Sequence, residues 1–403
     1  MNNHQSSDTF FVLEHPNSNV VHLTGVPLLF RGVIAIGNDP DISLRFVFNN
    51  ETLFVCKPND TREDVRLHYP PSRSHQLPCG FHYHINLPPN LDDGVYPIEI
   101  YANGKNAVEH HIGLYQLRIS AEKGDVANPF ADGHFYSSVV NIRELVAEKD
   151  RVWPKEPKIF GIDFCINAQC QFLTEDFPKY GNDFDYPYDP PHGATEWSFR
   201  LNNPVFCAFD AKLLFVMLRK YKPKNVIEIG SGYSSLLVAD VNCRFFENQI
   251  NFTCIEPYPR PMLKNNIPGL TRLIEQRVQN VSFDVFESLG AGDILFIDSS
   301  HVGKTGSDVN HEFFEIIPRL KPGVIVHVHD IFLPHDYPIQ RVLAEKLSWN
   351  EQYLLRAMLM FSPKFEVIFG TSCARHYLPH ETLKYADTRP EDLTGSFWFQ
   401  VKE

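Results

Sequence analysis

The stretch VIEIGSGYSS, residues 226–235, reads as a short apolar strand running straight into a glycine turn. Glycines at 230 and 232 let the backbone turn sharply and approach a ligand closely, and a helix that follows presents its unpaired N–H groups to an anionic group. Working outward, AFDAKLLFVMLRKYKP upstream is apolar at helical spacing and stops at Lys222-Pro223. Downstream, NFTCIE, TRLIEQ, DILFID and GVIVHVHD are short apolar runs separated by helix-length segments. Strands alternating with helices at that interval predict βαβ units and a parallel sheet covered on both faces, with polar residues gathered at the carboxyl ends of the strands. FEVIF (365–369) and SFWFQV (396–401) would close the sheet as a final pair.

Residues 9–120 follow a different pattern. GFHYHINL sets Phe81, Tyr83, Ile85 and Leu87 against His82, His84 and Asn86, and Tyr96, Ile98 and Ile100 repeat the period of two. Asn103-Gly104 predicts a two-residue hairpin turn, and Asn49-Asn50 is a weaker signal of the same kind. Short strands with Pro and Gly punctuation predict an all-β sandwich. Between the two grammars lies irregular sequence, with one predicted helix at 137–149 and an aromatic segment carrying Tyr186, Tyr188 and Trp197. That segment reads equally as a lid over a ligand or as a structural wrap. The expected organisation is a β-sandwich accessory domain at 1–122, a linker and lid region at 123–203 and an α/β domain at 204–403.

Composition narrows the function. Acidic residues outnumber basic ones 49 to 37, a net charge of −12, so phosphate backbones and anionic lipid surfaces are poor partners. No apolar run is long enough to span a membrane, and the opening MNNHQSSDTFFVLEH lacks the basic start and apolar core of a signal peptide. A cytoplasmic protein is expected. The eight cysteines (Cys56, Cys79, Cys165, Cys170, Cys207, Cys243, Cys254, Cys373) form no CxxC and read as reduced thiols.

Three rims carry the chemistry. The second strand of the α/β part ends in Glu256, 24 residues after Gly232, where a carboxylate can accept both hydroxyl hydrogens of a ribose. A dinucleotide fingerprint wants a third glycine where this chain has Ser235, and Glu228 would sit poorly beside a pyrophosphate. The same Glu228 suits an ammonium group, so the turn formed by Gly230, Ser231 and Gly232 favours S-adenosyl-L-methionine over NAD. The fourth strand ends in Asp298-Ser-Ser-His301 and the fifth in His327-Val-His329-Asp330. Asp298 and Asp330 with an imidazole could hold a divalent cation, Mg2+ in the first instance. Equally, Asp298 could serve the cofactor's amino group, and His327 and His329 could be hydrogen-bonded core histidines.

The run DILFIDSSHVGKTGSDVNHEFFEIIPRLKPGVIVHVHDIFLP, with VIEIGSGYSS before it and WNEQYLLRAMLMFSPKFEVIF and GSFWFQ after it, resembles the class I S-adenosylmethionine-dependent methyltransferases. It is most similar to the group that accompanies glycosyltransferases in bacterial surface-polysaccharide pathways, and more distantly to the metal-dependent sugar O-methyltransferases. The likeness covers roughly residues 155–402, and residues 9–120 resemble only loosely the small β domains fused to glycan-modifying enzymes. It implies a Rossmann-like sheet of seven strands with the last antiparallel. It assigns the cofactor's amino-acid end to Glu228, Gly230 and Gly232, its ribose to Glu256 and its adenine edge to Gln279. In the metal-dependent relatives the fifth strand ends in two acids, whereas here His329 precedes Asp330, leaving Asp298, His329 and Asp330 as the candidate metal ligands.

The implied reaction is methyl transfer to a hydroxyl of a carbohydrate or glycan precursor, with His301 as general base or a cation at Asp298 and Asp330 to acidify the hydroxyl. A small-molecule or glycan acceptor is the expected partner, and a homo-oligomer is left open. The competing expectations are an NAD-type oxidoreductase on the same sheet and a noncatalytic glycan-binding component.

Overall fold

In the computed structural model the chain divides into two compact units, residues 1–129 and 130–403. The structure describes residues 4–6, 9–15, 21–22, 28–36, 41–58, 80–88, 91–92, 94–105, 109–119, 130, 133–189, 198–203, 205–264, 267–386 and 393–403.

The first unit is β-rich. Its described strands are β1 (His4–Ser6), β2 (Thr9–His15), β3 (Val21–His22), β4 (Leu28–Ile36), β5 (Ser43–Phe48), β6 (Glu51–Cys56), β7 (Gly80–Ile85), β8 (Gly94–Asn103) and β9 (Glu109–Ile119). They form two sheets, ordered β1-β2-β4-β7 and β3-β9-β8-β5-β6. Phe11, Phe30 and Phe81 from one sheet and Phe46, Ile98 and Leu117 from the other share one apolar core. The rings of Phe30 and Phe46 meet edge to face at 4.7 Å.

The period of two is obeyed in β7, where Phe81 and Ile85 are buried and His82 and His84 exposed. Tyr83 and Tyr96 pack against this core and donate their hydroxyls to the Lys57 and Asp92 carbonyls. Both therefore have a part in holding the fold. Asn49 and Asn50 take φ of 50° and 63° between paired Phe48 and Glu51, a true two-residue hairpin. Asn103-Gly104 is not one. Asn103 stays in the ladder opposite Glu109, and its side-chain amide donates to that carboxylate at 3.3 Å, so the turn lies beyond it and is longer.

The second unit is mixed α/β. Its strands are β10 (Asn225–Ile229), β11 (Asn251–Ile255), β12 (Arg272–Ile274), β13 (Ile294–Ile297), β14 (Ile325–Val328), β15 (Phe365–Gly370) and β16 (Phe397–Val401). The order is β12-β11-β10-β13-β14-β16-β15, with β10 to β14 mutually parallel and β16 antiparallel to both neighbours. All seven fall on the apolar runs read from the sequence.

Continuous apolar strands are explained by cover on both faces. Ile294 and Phe296 point into one cluster and Leu295 and Ile297 into another. Each such fully buried side chain stabilises the fold by about 1.5–3 kcal/mol. The helix Ala208–Tyr221 packs on the first face and ends where Lys222 turns left-handed ahead of Pro223.

Around the boundary between units, the helix expected at 137–149 begins later, at Ile142–Ala147. Asn141 caps it by accepting from the Arg143 and Glu144 amides. Phe172, Leu173 and Phe177 are buried in the core of the second unit. Tyr186 packs there too, its hydroxyl donating to Asp240 at 2.6 Å and its ring meeting Phe199 edge to face, a structural role for this residue. Trp197 lies outside the described residues, as does Cys79.

Candidate active site

Strand order reverses between β10 and β13. From β10 the chain builds outward through β11 and β12, then returns to place β13 and β14 on the other side. Loops leaving adjacent carboxyl ends in opposite directions open a crevice between them, the usual ligand seat of such sheets. Here that crevice is a cleft of about 440 Å³. Gly230, Ser231, Gly232 and Glu256 form one part of its wall, and Asp298, His301, His329 and Asp330 another.

Gly230 is required by geometry. Its φ is +78°, and a Cβ there would lie 1.8 Å from the Asp298 carbonyl oxygen. A bare backbone lets the two strand-end loops touch. Gly232 differs: a Cβ on it would meet nothing within 4 Å, so it faces open space. Glu256 stands beside it with its carboxylate held in place, accepting from the Ser231 amide at 3.3 Å and the Tyr258 amide at 2.8 Å.

Two expected cofactor residues are placed otherwise. Glu228 is fully buried beneath the turn, and its carboxylate accepts from Ser234 Oγ at 2.6 Å, Cys254 Sγ at 3.3 Å and Ser235 Oγ. It braces the glycine turn from below, and direct contact with an ammonium in the cleft is not what the structure provides. Burial pushes its carboxyl up to about 7 despite these donors. Gln279 turns away, donating to the Gly306 carbonyl at 3.0 Å, and is absent from the cleft wall.

On the other part of the wall, His301 holds the centre. Its Nε2 is 3.4 Å from Asp298 Oδ1 and 3.6 Å from Asp330 Oδ2, while Nδ1 sits 2.8 Å from Glu351 Oε2. Burial alone would lower its proton affinity, but the hydrogen bonds to Asp298 and Glu351 outweigh that and raise it well above the usual histidine value. Burial would raise Asp298, but His329 and His301 hold it below the usual carboxylate range. Asp330 is shifted upward by burial. The His301 ring thus stands between the two carboxylates, at the place where the sequence suggested a cation.

Among the described residues, no group of three or more His, Cys, Asp or Glu is arranged to hold a metal ion. His329, the third expected ligand, packs against Phe206 with the ring centroids 5.2 Å apart and the planes tilted by 45°. His327 is a core histidine, 3.1 Å from Ser396 Oγ and stacked 3.8 Å over Phe296.

Sequence reasoning missed the clamp behind His301. Asn350 accepts from the Gly303 amide at 2.5 Å and donates to its carbonyl at 3.1 Å. Trp349 lies 4.5 Å from the His301 ring, and Glu351 fixes Nδ1. Fifty residues separate Glu351 from His301. The one local hint is an Asn at a helix start whose side chain caps nothing. Arg260 and Arg341 also reach the cleft wall.

Against known proteins, a family model described as a methyltransferase domain matches residues 227–331. This span contains the glycine turn, Glu256, Asp298, His301 and Asp330. An uncharacterized protein of Archaeoglobus fulgidus is 36% identical over 169 residues, 41% of this chain and 76% of the relative. Among solved structures, the fibronectin(III)-like modules of Clostridium thermocellum CbhA align at 12% identity and a TM-score of 0.20. That alignment covers 30% of this chain and about half of the other, 53%, and carries no argument about fold. The chain belongs to the same family as the archaeal protein, and its residues 227–331 are a methyltransferase domain.

Proposed function

We propose that the second unit binds S-adenosyl-L-methionine in the cleft at the β10/β13 crevice and methylates a hydroxyl of a carbohydrate or glycan precursor in the cytoplasm. The observation that carries this reading is the convergence, on one cleft, of an open glycine turn, a fixed carboxylate at Glu256 and the Asp298–His301–Asp330 cluster. The residues fit the group. Gly232 leaves space for a close backbone approach, and Glu256 is held ready to accept from a ribose diol. Ser235, in place of a third glycine, takes up the Gly232 amide through its hydroxyl at 2.9 Å, an amide a pyrophosphate would need. This counts against NAD. The carbohydrate acceptor rests on the resemblance noted from the sequence.

Held by the glycine turn and Glu256, the cofactor would supply an electrophilic methyl group whose transfer to the acceptor oxygen would release a neutral thioether. The chain's own task is to orient the acceptor and take its proton. Holding reactants in line removes several kcal/mol from such a barrier. His301 lines the cleft, with Glu351 on Nδ1 fixing the ring, and its Nε2 accepts the hydroxyl proton after releasing its own to solvent. Because the carboxylates raise its proton affinity, activity rises toward alkaline pH. Asp298 and Asp330 stabilise the imidazolium that forms.

Titration calorimetry with S-adenosylhomocysteine and NADH tests the cofactor. Binding of the first, weakened about tenfold or more in Glu256→Ala, supports the reading; binding of NADH alone rejects it. Methyl transfer to a panel of sugars and sugar nucleotides tests the acceptor. Asp298→Ala is expected to abolish transfer and retain S-adenosylhomocysteine, and unchanged wild-type transfer in EDTA is expected from a base-driven mechanism.

A further inference from the structure

A second concavity, of about 270 Å³, lies in the same unit away from the glycine turn. Its wall carries Arg151, Lys158 and Arg356 against one carboxylate, Asp336. Its Oδ1 accepts from the Tyr353 hydroxyl at 2.6 Å and from the Tyr337 amide at 2.7 Å. Arg151 pairs with Glu148 on an exposed helix surface, a weak and screened attachment. Among the described residues, neither Lys158 nor Arg356 has a carboxylate at ion-pair distance. In a chain of net charge −12, three cationic residues lining one hollow repel one another unless an anion joins them.

The hollow is also built. Trp153 Nε1 donates to the Tyr337 carbonyl at 2.7 Å, tying the 151–159 segment to the 331–337 loop. Below, the buried Gln352 accepts from the Phe332 amide at 2.5 Å and donates to the His335 carbonyl at 2.9 Å. These bonds fix the backbone that carries the wall, so little of it has to be ordered when a ligand arrives.

We infer that this pocket is a binding site for a phosphoryl anion, seated between Arg151, Lys158 and Arg356. Three cationic residues on one wall match a group carrying up to two negative charges, and a guanidinium fork matches its oxygens in pairs. A single carboxylate would leave most of that charge unanswered. The ligand is either a free phosphate ion or the phosphoryl group of a phosphorylated sugar. The site stands on residues outside the glycine turn, so it does not depend on the cofactor reading.

The test is calorimetric titration of the full chain with inorganic phosphate, pyrophosphate and glucose 1-phosphate, at ionic strength matched with chloride. Saturable binding is expected, weakened about tenfold in Arg356→Gln and in Lys158→Gln. The Lys158 variant alters an exposed side chain and guards against misfolding of the other. Equal affinity for phosphate and glucose 1-phosphate identifies the free ion, and tighter binding of the ester identifies the phosphorylated sugar. No saturable binding of any of the three, or unchanged affinity in both variants, overturns the site. S-adenosylhomocysteine titrated into the same samples reports separately on the first cleft.

Discussion

His301 and Asp330 both adopt left-handed backbone, at φ of 60° and 54°, although neither is glycine. Such residues are strained by roughly 1–3 kcal/mol each and persist where their surroundings over-determine them. Here the Asn350 and Glu351 amides both donate to the His301 carbonyl, and Gly395 packs where a Cβ would strike the Asp330 backbone. The folded state raises the proton affinity of His301, so its contribution to stability is complete below its unfolded pKa near 6.5 and is lost as pH rises through the higher folded value. His301→Asn tolerates the backbone and removes the charge. Urea unfolding is expected to show the gap between wild type and this variant greatest near pH 6 and shrinking toward alkaline pH; a gap that widens instead would place a neutral imidazole at the site. Glu351→Gln removes one of the charges that raise His301, so the alkaline rise of methyl transfer is expected to move to lower pH.

Glu228 carries the opposite lesson at the same scale. Its folded value near 7 exceeds that of an unfolded carboxylate, so the folded state holds the proton longer and stability falls as pH rises through that interval. The slope is roughly 1.4 kcal/mol per pH unit at most. Glu228→Gln is expected to flatten this slope between about pH 4.5 and pH 7, and to leave S-adenosylhomocysteine affinity within about threefold, or ~0.7 kcal/mol. A far larger loss of affinity would restore Glu228 to direct contact with the ligand.

At the scale of elements, the strands were legible because each is a short apolar run bounded by turn residues, and burial on both faces leaves no alternation to confuse. Glu256, Asp298, His301 and Asp330 were legible because strand ends in a parallel sheet collect on one edge. Glu351 and Asn350 were not, since their contacts with 301–303 cross from a later helix and leave no spacing signal. Asn103 misled because the dipeptide permits a turn without requiring one, and its pairing with Glu109 won. The two glycines of the turn separate fold from function. Gly230→Ala forces a side chain into left-handed backbone, at a cost of about 1–2 kcal/mol, and into the Asp298 carbonyl, which adds about 1–3 kcal/mol. It is expected to lower thermal stability and binding together. Gly232 has extended backbone, φ −162°, and free space for a Cβ. Gly232→Ala is expected to hold stability within about 0.5 kcal/mol and still weaken S-adenosylhomocysteine about tenfold, because the methyl group takes the ligand's room. Calorimetry and thermal melts on the pair decide it, and equal binding by Gly232→Ala and wild type would move the ligand away from the turn.

For the whole molecule, the apolar cores keep to their own units. Phe11 through Ile119 make one core, and every buried residue of the two clusters that sandwich the α/β sheet lies between Phe164 and Val401. Each unit is long enough to fold around such a core. The cleft, the His301 clamp and the cationic pocket all draw on residues after 130. Residues 130–403 expressed alone are therefore expected to fold cooperatively and bind S-adenosylhomocysteine within about twofold of the full chain, a difference of ~0.4 kcal/mol. Circular dichroism melts and calorimetry on the two proteins measure this. If the isolated unit folds but loses the ligand, the β-rich unit contributes to the cofactor site. If it binds the ligand but no longer methylates acceptors that the full chain accepts, the β-rich unit works on the acceptor.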